Sequence, residues 1–121
     1  MQRRLEKTNP RLSTLITRLK EASRTNEVGL WREIASRLES PRRNYAEVNI
    51  SKINRYASGG ETILVPGKVL GTGVLEQPVD VAALNFSGSA QSKIRGAKGS
   101  CMTIEELLAK NPTGSRVRIL R

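Results

Sequence analysis

Few side chains in this sequence can do covalent or proton-transfer chemistry. There is no histidine, and Cys101 is the single cysteine among 121 residues. Without imidazole the chain lacks the usual general base near neutral pH. One thiol and no histidine give zinc no ligand set, so neither a metal nor a cofactor is expected. A lone cysteine cannot close an internal disulfide, which fits a reducing compartment. Cys101 has no candidate base beside it and reads as a small buried residue. Glu105 and Glu106 are adjacent, but they fall in a first helical turn, where negative charge offsets the helix dipole. No carboxylate pair is spaced as two cooperating acids. The pattern argues against an enzyme.

The remaining chemistry is recognition of anions. Gly67-Lys68 and Gly71-x-Gly73 superficially resemble a phosphate loop. The order is wrong, because that motif ends in Gly-Lys-Ser/Thr and opens a helix. Lys68 survives as a candidate for a single phosphate contact. Ser87-Gly88-Ser89 follows an apolar run and opens a helix, where free N–H groups favour an anion. Capping of that helix by Ser87 uses the same N–H groups until a phosphate arrives. Three basic groups stand out: Arg3, Arg4, Lys7 and Arg11; Arg42 and Arg43 with Lys52 and Arg55; and Lys93, Arg95 and Lys98. Overall 21 Lys and Arg face 11 Asp and Glu, a net charge of +10. A field of that sign attracts polyanions, nucleic acid first among them. Trp31, Tyr45, Tyr56 and Phe86 are the only aromatic residues, too few for a platform that stacks single-stranded bases. No helix is patterned to read a DNA major groove. Recognition of structured RNA by phosphate and shape fits better. Two rivals are a small enzyme on a phosphorylated ligand, using Lys68 and the Ser87 helix start, and a free RNA chaperone.

These groups must be held by local structure. Residues 1–8 read as a basic arm. Asn9-Pro10 is a helix start, since Asn caps well and Pro is tolerated at the first position. Leu12, Leu15, Ile16 and Leu19 then form one apolar stripe. A second helix spans about 28–39, burying Leu30, Trp31, Ile34, Ala35 and Leu38, and Pro41 ends it. A third is predicted over 46–57 from the stripe Ala46, Ile50, Ile53 and Ala57, with Asn49, Lys52 and Tyr56 on its other side. Residues 1–58 carry 13 basic and 6 acidic side chains, and residues 59–121 carry 8 and 5. The second part is richer in β-branched residues and glycine. It predicts short strands at Thr62–Val65 and Lys68–Leu70 around a Pro66-Gly67 turn. A central strand, covered on both faces, follows at Val79–Phe86. A helix then runs through Ala90 and Ile94, with a mobile loop at Gly96–Gly99. A capping box at Thr103–Glu106 opens a short helix, and a last strand lies near Arg116–Leu120. The sum is one α/β domain over 1–121, with helices in 9–58 and a small mixed sheet in 59–121. No stretch nears the ~20 apolar residues of a membrane span, and no secretory signal pattern is present. An intracellular protein without membrane or small-molecule partners is expected.

Several segments carry a resemblance. Lys7-Thr8-Asn9-Pro10-Arg11-Leu12, Pro41-Arg42-Arg43, Ala46-Glu47-Val48-Asn49, Val65 through Gly71, Phe86 through Ala90, and Asn111-Pro112 resemble, in order and spacing, the large-subunit ribosomal protein family eighteen-e. The middle segments are also similar to large-subunit protein fifteen. The short chain lacks the long extensions of eukaryotic members, which favours an archaeal source. The resemblance implies a compact α/β domain that binds large-subunit ribosomal RNA in the cytoplasmic ribosome, among neighbouring ribosomal proteins, without catalysis. It implies RNA contacts at Lys7, Asn9, Arg11, Arg42, Arg43, Lys68 and Ser87. Arg3, Arg4, Lys52, Arg55, Lys93, Arg95 and Lys98 rest on charge and placement.

Overall fold

A computed structural model describes residues 9–57 and 59–121. Helix α1 (Pro10–Asn26) starts where the sequence places it, with Asn9 Oδ1 accepting from the Arg11 N–H at 2.9 Å. It buries Leu12, Leu15 and Leu19. Helix α2 (Gly29–Glu39) lies against it and buries Trp31, Ile34, Ala35 and Leu38. The spacing i, i+3, i+4, i+7 puts all four on one face. The Trp31 indole Nε1–H finds the Pro112 carbonyl at 2.7 Å, so the buried ring keeps no unpaired donor.

The expected helix over 46–57 is two elements. Ala46–Asn49 is a strand, β1, and only Ile50–Tyr56 is helical, α3. Ala46, Ile50, Ile53 and Ala57 mimic a helical stripe, but parallel pairing of Ala46–Asn49 with Gly67–Leu70 overrides it. Val48 is then buried while Glu47 and Asn49 face out, the alternation of a strand.

The two short strands expected around Pro66-Gly67 are one, β2 (Thr62–Leu70). The chain does not turn there. Its register against β3 (Asp80–Phe86) shifts between Val65 and Lys68, the mark of a bulge. Before the break, Thr62–Leu64 pairs with β5 (Val117–Ile119); after it, Gly67–Leu70 pairs with β1. Proline has no N–H to give a ladder, so a bulge between two partners suits it. Gly67 is needed for close approach, since a Cβ there would lie 2.0 Å from the Ala46 carbonyl oxygen.

The apolar run at 79–86 forms the central β3, which pairs with β2 and with β4 (Ser100–Thr103). Strand β4 was not anticipated. The segment before it is a hydrogen-bonded turn rather than an open loop, with Gly99 N–H on Ile94 O and Lys98 N–H on Arg95 O, both 2.9 Å. It closes α4 (Gly88–Gly96). Helix α5 (Ile104–Lys110) starts on the expected capping box: Thr103 Oγ1 accepts from the Glu106 N–H at 3.0 Å, and Glu106 Oε1 from the Thr103 N–H at 2.7 Å.

The α/β class stands. The sheet order is β1-β2-β3-β4 with β5 also on β2. Every described pairing is parallel, where a mixed sheet was expected. Helices cover both faces, as a parallel sheet requires. On one side α1, α2 and α5 pack over Leu64 and Ala82; on the other α3 and α4 pack over Ile63, Val65, Val81 and Ala83.

Trp31 ties α2 to the segment before β5. Trp31→Phe should cost about 1 kcal/mol, the net value of one hydrogen bond. Trp31→Ala should cost about 3–5 kcal/mol through the cavity it opens. Urea unfolding followed by far-UV circular dichroism measures both.

Candidate nucleic-acid interface

The bulge in β2 sets the site. Val48, Val69 and Phe86 belong to the core under α3 and α4. The residues just before them, Glu47, Lys68 and Asn85, therefore point to the other face. The register places these three side by side, Glu47 opposite Lys68 and Lys68 opposite Asn85. All three are exposed. They form one polar row near the carboxyl ends of parallel strands, where open α/β sheets hold their ligands.

Two further elements wall the row. The start of α1 brings Asn9, Arg11 and Leu12, and the 3-10 turn Arg42–Asn44 brings Arg42 and Arg43. Together with Tyr45, Ala46, Gly67 and Leu84 they enclose a cleft of about 450 Å³. The Tyr45 hydroxyl is turned away to donate to the Leu38 carbonyl.

Arg42, Arg43 and Lys68, far apart in sequence, thus meet in one cleft. None takes part in an ion pair of the described residues. Asn9 lies there too, with its side-chain oxygen used as the α1 cap. Arg11 is internally engaged. Its Nε and Nη2 donate to the Glu105 carboxylate at 2.7 and 3.1 Å, and Nη2 also to the Leu84 carbonyl at 3.1 Å. Hydrogen bonding to Glu105 raises the Arg11 pKa. Burial works to raise the Glu105 pKa, but hydrogen bonds from Arg11 and the backbone outweigh it and hold the carboxyl below its ordinary value.

The other expected contacts lie elsewhere. Arg42 and Arg43 are not grouped with Lys52 and Arg55, because α3 packs on the opposite face of the sheet. The Lys52 ammonium donates to the Arg121 carbonyl, and the Arg55 guanidinium lies 6.0 Å from the Tyr56 ring centre. Ser87 caps α4, accepting from the Ala90 N–H at 3.1 Å. Lys93 donates to the carbonyls of Gly71 and Gly73 at 2.6 and 2.7 Å, which fixes that loop. Arg95 and Lys98 are exposed at the end of α4. Arg3, Arg4 and Lys7 lie outside the described residues.

Sequence reasoning missed Glu47 and Asn85 as cleft residues. The helical reading of 46–57 hid the first. The second left a trace, a polar residue near the end of an apolar run. It also missed a groove between α1 and α2 holding Arg24 and Arg32 beside the Lys20–Glu39 pair, whose charges are 2.7 Å apart. Among the described residues no cluster of His, Cys, Asp or Glu could hold a metal ion, and no helix is long and apolar enough to cross a membrane.

These features define a basic α/β protein with a cleft lined by Arg42, Arg43 and Lys68 at the carboxyl edge of a parallel sheet. The family described as ribosomal protein 60S L18 and 50S L18e matches residues 1–121, and the chain belongs to it. The chain is 72% identical to large ribosomal subunit protein eL18 of Methanoregula boonei over 121 residues, covering all of both chains. It is equally identical, with the same coverage, to that of Methanosphaerula palustris. It is 51% identical to that of Haloarcula marismortui over 117 residues, 97% of this chain and 100% of the relative.

The Arg11–Glu105 pair predicts a pH dependence. The folded pKa of Glu105 is depressed, so its stabilisation is present above the ordinary value of 4.5 and lost as pH falls through the folded value. The pair is partly exposed, with side chains 41% and 23% accessible, so its contribution is at most about 1 kcal/mol. Glu105→Gln should lower the urea midpoint at about pH 6, and the gap to the parent should narrow as the pH falls below the ordinary carboxylate value of 4.5.

Proposed function

We propose that this chain is a non-enzymatic structural component of the large ribosomal subunit, where it binds ribosomal RNA and stabilises its folded form. It works in the cytoplasmic ribosome, in translation, beside neighbouring ribosomal proteins. The observation that carries the reading is the cleft. Arg42, Arg43 and Lys68 converge there from a turn and a strand, with no acidic partner among the described residues. Membership of a ribosomal protein family supports the same reading.

The mechanism is electrostatic and geometric. A rigid sheet edge holds cations at fixed spacing, and a folded RNA backbone supplies phosphates to match. Arg42 and Arg43 present planar forks suited to phosphate oxygens. Lys68 adds a point charge from the strand. The arm residues Arg3, Arg4 and Lys7, and Arg95 and Lys98 at the end of α4, extend the contact to other RNA segments. Lys52, Arg55, Lys93 and Ser87 add RNA contacts from α3 and α4, and Asn9 and Arg11 from the start of α1 at the cleft wall.

Each phosphate neutralised releases counterions, so log affinity falls with log salt by about 0.7–0.9 per contact. Arg42→Ala with Arg43→Ala should weaken binding to large-subunit RNA and flatten that slope by about 1.4–1.8, with the thermal midpoint unchanged. An unaltered slope in a filter-binding titration would remove the turn from the interface. The protein should also co-sediment stoichiometrically with large subunits after a high-salt wash. Recovery in the free fraction instead would favour a stand-alone RNA chaperone.

A further inference from the structure

We propose that the cleft receives one extruded guanine nucleotide of the bound RNA, with Glu47 reading the edge of the base. The inference rests on the RNA-binding reading above and goes beyond it.

Phosphate binding alone does not account for the cleft. Glu47 lines it together with four cations, Arg11, Arg42, Arg43 and Lys68, and a carboxylate repels a phosphate. Glu47 stands opposite Lys68 in register, yet the two form no ion pair, and Glu47 makes no ion pair with any other described residue. The side chains of Lys68 and Asn85, whose backbones pair in the sheet, likewise have no hydrogen-bond partner among the described residues. The row thus offers an acceptor, a donor and an amide, at steps of about 4.8 Å set by the strand spacing. Three polar side chains in a line, none with a partner among the described residues, can read hydrogen-bonding edges as well as charge.

The pattern selects a base. A carboxylate has two acceptor oxygens and no donor. Guanine alone presents two adjacent donors, N1–H and the 2-amino group, with the O6 acceptor next to them. Glu47 takes the two donors, and Lys68 or Asn85 donates to O6. Adenine and cytosine offer the carboxylate one amino group, and uracil one imide. Leu12 and Leu84 supply an apolar wall for the ring, and Arg42 and Arg43 lie where the flanking phosphates would run. The volume of about 450 Å³ falls in the range of about 300–1,000 Å³ that small ligands fill. Extrusion costs least for a base already unpaired in a loop or bulge, the usual place for sequence-specific RNA contacts.

The test uses the full chain and labelled single-stranded heptanucleotides of adenosine, with guanosine, inosine, cytidine, uridine or adenosine at the centre. Fluorescence anisotropy should show the guanosine oligomer bound about tenfold more tightly than the adenosine and uridine ones. Inosine, which lacks the 2-amino group, should fall between. Glu47→Gln should erase the guanosine advantage, bringing the guanosine and adenosine affinities together. If Glu47→Gln instead raises affinity for every oligomer alike, Glu47 is only a repelling charge and the proposal is overturned. Equal affinities in the parent protein, all lost on Arg42→Ala with Arg43→Ala, would also overturn it while leaving RNA binding intact. Failure of the parent to bind any oligomer or large-subunit RNA would remove both readings.

Discussion

The break at Pro66-Gly67 governs the rest of the structure. A regular strand would keep one neighbour on each side. Strand β2 exchanges β5 for β1 along a single edge, and it does so where proline withdraws an N–H and glycine lets the Ala46 backbone come close. The bulge also changes register against β3. Had β2 continued in its first register, Lys68 would not stand level with Asn85. The break thus sets Lys68, on the far side of the strand from Val69, level with Asn85 and beside Glu47. One local irregularity completes the sheet and builds the polar row.

Part of the positive charge in this protein is engaged within the molecule. Arg11, Lys20, Arg37 and Arg118 are tied to carboxylates. Lys93 and Arg116 are tied to backbone carbonyls. These cations shape the molecule: Arg11 joins α1 to α5, and Lys93 pins the loop after β2 onto α4. Arg42, Arg43 and Lys68 form no ion pair among the described residues and share a cleft. A net charge of +10 says that a polyanion is attracted, but not which cations meet it. The division follows only from knowing which side chains have already found a partner.

Local signals were legible in the sequence, and long-range ones were not. The Asn9 cap, the α2 face around Trp31 and the Thr103–Glu106 box need only a few consecutive residues, and each forms as its pattern indicates. Strand β1 was misread because Ala46, Ile50, Ile53 and Ala57 keep helical spacing, while the deciding contact is with residues some twenty positions later. Strand β4 is four residues long and only partly buried throughout, so it carries no alternation to detect. At the cleft, Arg42, Arg43 and Lys68 were visible as charges. Glu47 and Asn85 were not, because their alignment with Lys68 exists only in the register of three strands.

The late pairing of β5 bears on how the chain is made. Ribosomes extend a polypeptide from its amino end, so β2 is complete long before Val117–Ile119 exists to cover Thr62–Leu64. During that interval an apolar strand edge stands open, a template for wrong association. The Trp31 indole waits as well, since its acceptor Pro112 is synthesised only shortly before β5. Mutual repulsion among surplus cations, already present on the first half of the chain, is the force available to keep such half-built copies apart.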